Sequence, residues 1–111
     1  MLPAAHRLRT SRDFSQVVRT GRRAGRPLLT VHLDTAGAGP ASAGLVVSKA
    51  VGSSVIRHRV ARRLRHLLAA QLPQLSVGTR LVVRAAPGAA TATSAALAAD
   101  LDRALARLVR P

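Results

Sequence analysis

The chain has 111 residues, enough for one domain with a modest core but not for two. It carries 18 Lys and Arg residues against 4 acids, a net charge of +14, and no Cys. Disulfides and thiolate metal sites are thereby excluded, and self-repulsion on this scale calls for an anionic partner, nucleic acid before an anionic membrane surface.

Residues 1–9 read as a flexible basic lead-in with His6, Arg7 and Arg9. They lack the apolar stretch of a signal peptide, and no run approaches the roughly 20 apolar residues that span a bilayer. A soluble, cytoplasmic protein is expected. Thr10 with Asp13 three residues later resembles a capping box. Phe14, Val17 and Val18 form a short apolar stripe, and Gly21 is a stop, so a helix is predicted over 11–20.

Residues 21–27 (GRRAGRP) read as a basic turn. In LLTVHLD, Leu29, Val31 and Leu33 alternate with Thr30 and His32, the pattern of a half-buried strand. Residues 35–42 form a Gly/Pro-rich loop, and 43–49 (AGLVVSK) a second strand expected to pair with the first as a hairpin. Ser53 or Ser54 caps a helix running to about Leu72, before Pro73. TRLVVRA is a third strand, with Leu81 and Val83 on one face and Arg80, Val82 and Arg84 on the other. After a loop holding Pro87 and Gly88, a last helix starts at Thr93 or Ser94 and carries Leu97, Leu101, Leu105 and Leu108. Within it Asp100 and Arg103 are spaced to pair.

The expected fold is α+β: a small mixed sheet packed with helices in the order αββαβα, a single domain over 1–111. Strand–helix–strand around the middle helix allows a parallel βαβ crossover, right-handed by general topology rules.

That middle helix dominates the sequence. Over VIRHRVARRLRHLL, Ile56, Val60, Leu64, Leu67 and Leu68 fall on one flank at helical spacing. His58, Arg59, Arg62, Arg63, Arg65 and His66 gather on the opposite side; Arg57 projects nearer the apolar flank from the first turn. Charged helix faces usually mix signs. This one is single-signed and is extended by Lys49, which favours a polyanion over plain solvation. Apart from Lys49, every basic residue is Arg. Arg suits bidentate phosphate contact, although a genome-wide codon bias accounts for the Arg/Lys ratio equally well.

No catalytic or metal constellation is present. The acids Asp13, Asp34, Asp100 and Asp102 suggest no carboxylate pair, and His6, His32, His58 and His66 lack companion ligands for zinc. His58 and His66 lie two turns apart, about 12 Å, too far to share a metal. Ser48, His58 and Asp34 make a triad on paper only. Gly52, Ser53 and Ser54 open the basic helix and fit plain capping better than a phosphate site. Phe14, the one aromatic, is either core or a sole stacking platform.

The stretch SKAVGSSVIRHRVARRLRHLL resembles the signature of the bacterial ribonuclease P protein subunit, S-K-[KR]-[VI]-G-x-A-V-x-R-N-R-x-[KR]-R-x-x-R. Ser48, Lys49, Val51, Gly52, Val55, Arg57, Arg59, Arg62 and Arg65 match it. The family's R-L-[KR]-x-x-x-D-F opening is similar to Arg7, Leu8, Arg9, Asp13 and Phe14, and the resemblance covers about 6–109. It implies a small basic partner of a catalytic RNA that removes the 5′ leader of precursor tRNA, with Mg2+ held mainly by the RNA and no catalytic or metal residue on the protein. The family's middle helix contacts the RNA, which implies RNA-binding roles for Lys49, Arg57, His58, Arg59, Arg62 and Arg65, with Arg63 and His66 adding charge. A cleft between the first helix and the sheet takes the leader, which implies roles for Arg12, Phe14, Val18 and Val31. The family's βαβ crossover is left-handed, against the general rule.

The chain departs from the pattern at four positions. His58 stands for the central Asn of the motif, Ala61 for a common basic residue, and Val18 and Val31 for frequent aromatic rings. Leader affinity should therefore lean on Arg–phosphate attraction and depend steeply on salt. A monomeric protein in a 1:1 complex with the RNA, without a membrane, is expected. The alternatives are a ribosomal or general RNA-binding protein; a DNA reader, disfavoured because Pro73 and a strand follow the basic helix; and, last, a direct enzyme.

Overall fold

A computed structural model describes residues 2–109. It contains helices α1 (Ser11–Thr20), α2 (Ser54–Gln71) and α3 (Ser94–Val109), and strands β1 (Arg22–Gly25), β2 (Leu29–Asp34), β3 (Ser42–Val46) and β4 (Arg80–Ala85). The strands form one mixed sheet in the order β1-β2-β4-β3. β4 runs antiparallel to β2 and parallel to β3, so β3–α2–β4 is the expected βαβ unit.

All three helices start on side-chain caps. Thr10 Oγ1 accepts from Asp13 N at 3.1 Å, Ser53 Oγ from Ile56 N at 3.4 Å, and Thr93 Oγ1 from Ala96 N at 3.1 Å.

The sheet departs from expectation in two ways. The basic segment after α1 is not merely a turn: Arg22–Gly25 is an edge strand paired antiparallel with β2. Only Ala24 in it is buried, so it carries no apolar alternation to read. The predicted hairpin of β2 with β3 does not form, because β4 lies between them. The cause is in β4 itself: Leu81, Val82 and Val83 are all fully buried, and a strand apolar on both faces takes the middle of a sheet. The 35–41 loop spans the gap, held by Gly37 N to Gly78 O at 2.9 Å and Gly78 N to Gly39 O at 2.8 Å. Gly78 turns there at φ +90°, a conformation that favours glycine.

The two faces are unequal. Ala24, Leu29, Val31, Leu33, Leu81, Val83 and Ala43 build the main core with Val60, Leu64 and Leu68 of α2 and Leu97, Leu101, Leu105 and Leu108 of α3. The other face is covered by α1 and by Leu8 ahead of it, through a small cluster of Leu8, Val17 and Val82 flanked by Phe14, Val18 and Val46.

Two further expectations change. The lead-in is docked rather than free: Leu2 is buried in the main core, His6 Nδ1 lies 2.6 Å from Ala41 O, and Arg7 bridges to Ala43 on the outer edge of β3. Asp100 does not pair with Arg103. It is buried, accepts from Leu28 N at 2.9 Å and faces Arg26 Nε at 3.4 Å, so it holds the β1–β2 turn.

Candidate nucleic-acid interface

The acids decide where positive charge stays uncompensated. Arg80 engages both Asp13 and Asp34, Arg26 engages Asp100, and Asp102 accepts from Gln71 Nε2 at 2.7 Å. Among the described residues, neither a basic residue of α2 nor Arg84 forms an ion pair with an acid.

On α2, the burial of Val60, Leu64 and Leu68 fixes the rotation of the helix and turns His58, Arg59, Arg62 and His66 into solvent. Arg57, Arg63 and Arg65 are half-buried along its flanks. Arg63 Nη1 donates to Ala92 O at 3.0 Å, which ties that side chain to the start of α3. Arg57 Nε is buried without a hydrogen-bond partner. Lys49 is exposed in the turn before the helix. Of the sequence-predicted RNA-binding residues, Lys49, His58, Arg59, Arg62 and His66 are thus exposed, and Arg57, Arg63 and Arg65 partly so.

The face of the sheet under α1 is legible from its register. One row holds Asp34, Arg80 and Ser42; the next Arg23, His32, Val82 and Gly44; the last Gly25, Thr30, Arg84 and Val46. Arg80 fastens α1 over the first row by donating to Asp13 Oδ1 at 3.3 Å and Gln16 Oε1 at 3.1 Å. Phe14 lies on the bare backbone of Gly44, where an added methyl would overlap its ring. The last row stays open, and there Phe14, Ser15, Val18, Arg19, Val46 and Arg84 line a concavity of about 410 Å³.

This separates the predicted leader-cleft residues. Phe14 and Val18 line the concavity. Arg12 is exposed outside its lining, on the same side of α1 as Ser15 and Arg19 by helical spacing. Val31 does not belong to it: it is fully buried on the opposite face, in the main core. Period-2 alternation puts His32, not Val31, on the α1 side. Arg84, Arg19 and Val46 were missed as cleft residues. The usable signal was Arg84 itself, a cation on the central strand with no acid opposite it.

His32 is 7% exposed, and its Nδ1 has no hydrogen-bond partner. Burial, and then the neighbouring Arg84 and Arg23, lower its pKa. The imidazole is thus held neutral beneath two guanidinium groups. Arg80 is pushed the other way, chiefly by its hydrogen bonds to Asp34.

A short stretch of chain links the two basic regions. β3 ends at Val46 in the wall of the concavity, and residues 47–53 carry the chain past Lys49 into α2. No three His or Asp side chains gather to hold a metal among the described residues, and no helix there is long and apolar enough to cross a membrane.

A family model described as Ribonuclease P matches residues 2–109. The ribonuclease P protein component of Streptomyces bikiniensis is 53% identical over 118 residues, covering 98% of this chain and 96% of that protein. That of Mycobacterium avium is 50% identical over 114 residues, covering 97% and 95%. Among solved structures, the RNase P protein of Staphylococcus aureus superposes with a TM-score of 0.81 at 20% identity, covering 96% of this chain and 99% of that one. The Thermotoga maritima protein gives 0.77 at 21%, covering 95% and 96%; at such identities the likeness speaks for the fold. With a full-length family match and relatives at half identity, the chain belongs to the bacterial ribonuclease P protein component family.

Proposed function

We propose that this subunit of ribonuclease P holds the RNA subunit on the outward face of α2 and the 5′ leader of precursor tRNA in the concavity beside α1. The observation that carries this reading is electrostatic. Each Asp is engaged by Arg80, Arg26 or Gln71, while the α2 face and Arg84 stay unpaired among the described residues. Phosphates fit a surface of that kind, and Arg offers them bidentate contact.

In this reading the RNA performs the hydrolysis in the cytoplasm, one protein serves one RNA, and Mg2+ is held by the RNA. Asp13, Asp34 and Asp100 are ion-paired to arginines, and among the described residues no three His or Asp side chains gather, which supports leaving the metal to the RNA. The protein contributes charge and positioning. Lys49, Arg57, His58, Arg59, Arg62, Arg63, Arg65 and His66 serve the RNA. Phe14 and Val18 offer apolar contact to the leader, with Arg19 and Arg84 for its phosphates and Arg12 at the margin. His58, exposed on the second turn of α2, presents an imidazole where the family's motif has an amide.

Reconstitution tests the reading. With the cognate RNA at low magnesium, adding the protein should restore cleavage of precursor tRNA at the mature 5′ end. Arg59→Ala with Arg62→Ala should shrink its footprint on the RNA. An unchanged footprint removes α2 from the interface.

A further inference from the structure

The docked N-terminal segment builds a feature that the basic helix alone lacks. Pro3 O accepts from His6 N at 2.9 Å, closing a short turn, and Leu8 N donates to Ala43 O at 3.0 Å. With Leu2 sunk into the core, residues 2–8 run along the outer edge of β3 beside α2. Between segment and helix lies a concavity of about 370 Å³ lined by Leu2, Arg7, Arg62 and Arg65. Arg7 Nε donates to Leu2 O at 3.1 Å, which fixes this side chain across the rim. Arg62 and Arg65 have neither an ion pair nor a side-chain hydrogen bond among the described residues.

We propose that this slot receives one unpaired base of the RNA subunit together with its phosphate. The proposal rests on the reading of α2 as the RNA-facing helix. Three guanidinium groups around one hollow repel each other until an anion arrives, so the occupant carries negative charge. Leu2, 3% exposed, only closes the bottom of the hollow, so the surface on offer to a base is that of the guanidinium planes. A nucleotide uses these groups twice, because guanidinium planes stack on a base face and also bind its phosphate. The leader is the wrong source: its cleft lies on the α1 face, whereas this slot lies at the outer edge of β3 against α2. Arg62 also lines a second hollow with Arg63, His66, Leu67 and Ser94, so it would stand between the slot and the rest of the helix face.

The test uses the full chain by NMR, titrated separately with adenosine 5′-monophosphate, uridine 5′-monophosphate, ribose 5-phosphate and inorganic phosphate. Both nucleotides should move the Leu2 methyl signals and the arginine Nε signals. The two base-free phosphates should move the arginines alone. Arg7→Gln, at an exposed side chain, should weaken nucleotide binding about fivefold, the loss of one charge-assisted contact. In the reconstituted holoenzyme, wild-type protein should shield one unpaired base of the RNA subunit from chemical modification, and Arg7→Gln should expose that base while the rest of the α2 footprint stays. Equal responses to phosphate and nucleotide overturn the proposal, as does a shielded base in the precursor rather than in the RNA subunit. So does a Leu2 response to anionic phospholipid vesicles but to neither nucleotide. Arg59→Ala with His58→Ala, neither of which lines the slot, should shrink the α2 footprint and leave the slot's base shielded, so failure of the broader reading of α2 and failure of the slot give different results.

Discussion

Arg80 and Asp34 face each other across the β2–β4 register and meet edge to edge, Nε to Oδ1 at 2.8 Å and Nη2 to Oδ2 at 2.7 Å. Both side chains are about nine-tenths buried, and the same guanidinium reaches Asp13 and Gln16 on α1. One residue thus joins the central strand, its neighbour and the helix that roofs the cleft. Removing it leaves Asp34 buried without its partner, so Arg80→Met should cost about 3 kcal/mol of stability. Urea unfolding at neutral pH measures this. Arg80→Met combined with Asp34→Leu should recover part of the loss, since no charge is then stranded; a double variant no better than the single one would count against the pair.

The helices were legible because each carries its own signals: a hydroxyl cap and an apolar stripe, with a stop at Gly21 for α1 and at Pro73 for α2. Sheet order was not. Sequence adjacency of β2 and β3 suggested a hairpin, yet the consecutive Leu81, Val82 and Val83 held the better clue to which strand is central. The basic face of α2 could be read directly, since Val60, Leu64 and Leu68 fix its rotation. The cleft could be read only in part. Phe14, Val18 and Val31 all enter the cleft through the resemblance; the first two line the concavity, while the strand alternation of Val31 buries it on the far side. Arg84 becomes a cleft residue only once β4 is known to lie between β2 and β3.

Arg84 supplies a test of the cleft that leaves the fold alone, since its side chain is exposed and unpaired among the described residues. Arg84→Ala should weaken binding of leader-bearing precursor and leave mature tRNA unaffected. On leader-bearing substrate it should also lower the slope of log affinity against log salt by about 0.7, the value for one phosphate contact on a single strand. Filter binding across a salt series reads both effects. An equal loss with mature tRNA would place Arg84 outside the leader path.

Gly44 controls Phe14 without touching the ring chemistry. Because the ring rests on the glycine backbone, Gly44→Ala must push it away. The overpacking should cost about 1–3 kcal/mol. Leader affinity should fall about tenfold, as for Phe14→Ala, if the ring stacks on a base. Comparing the two variants on precursors with and without a leader separates stacking from simple destabilisation, which would weaken both substrates alike.

His32 makes stability depend on pH with a definite sign. In the unfolded chain it titrates near its ordinary value of 6.5, and in the fold lower, because of burial and then the charges of Arg84 and Arg23. Between those two values the unfolded chain binds more protons than the folded one, so stability falls as pH drops. The contribution is intact above 6.5, declines below it, and levels off once pH passes the folded value. The groups opposite His32 in the sheet are Arg23 on β1 and Val82 on β4, with Arg84 one row away and no acid in that row, so nothing there offsets a proton on the imidazole. His32→Gln removes the titrating group while keeping a side chain able to hydrogen-bond. Melting curves from pH 7.5 to 5 should show wild type losing more stability than the variant, with the difference opening below 6.5. Parallel curves for the two proteins would show that His32 does not carry the effect. A leader phosphate bound at Arg84 would relieve part of that repulsion, so binding near pH 6 should be accompanied by proton uptake, measurable as a buffer-dependent binding enthalpy that disappears in His32→Gln.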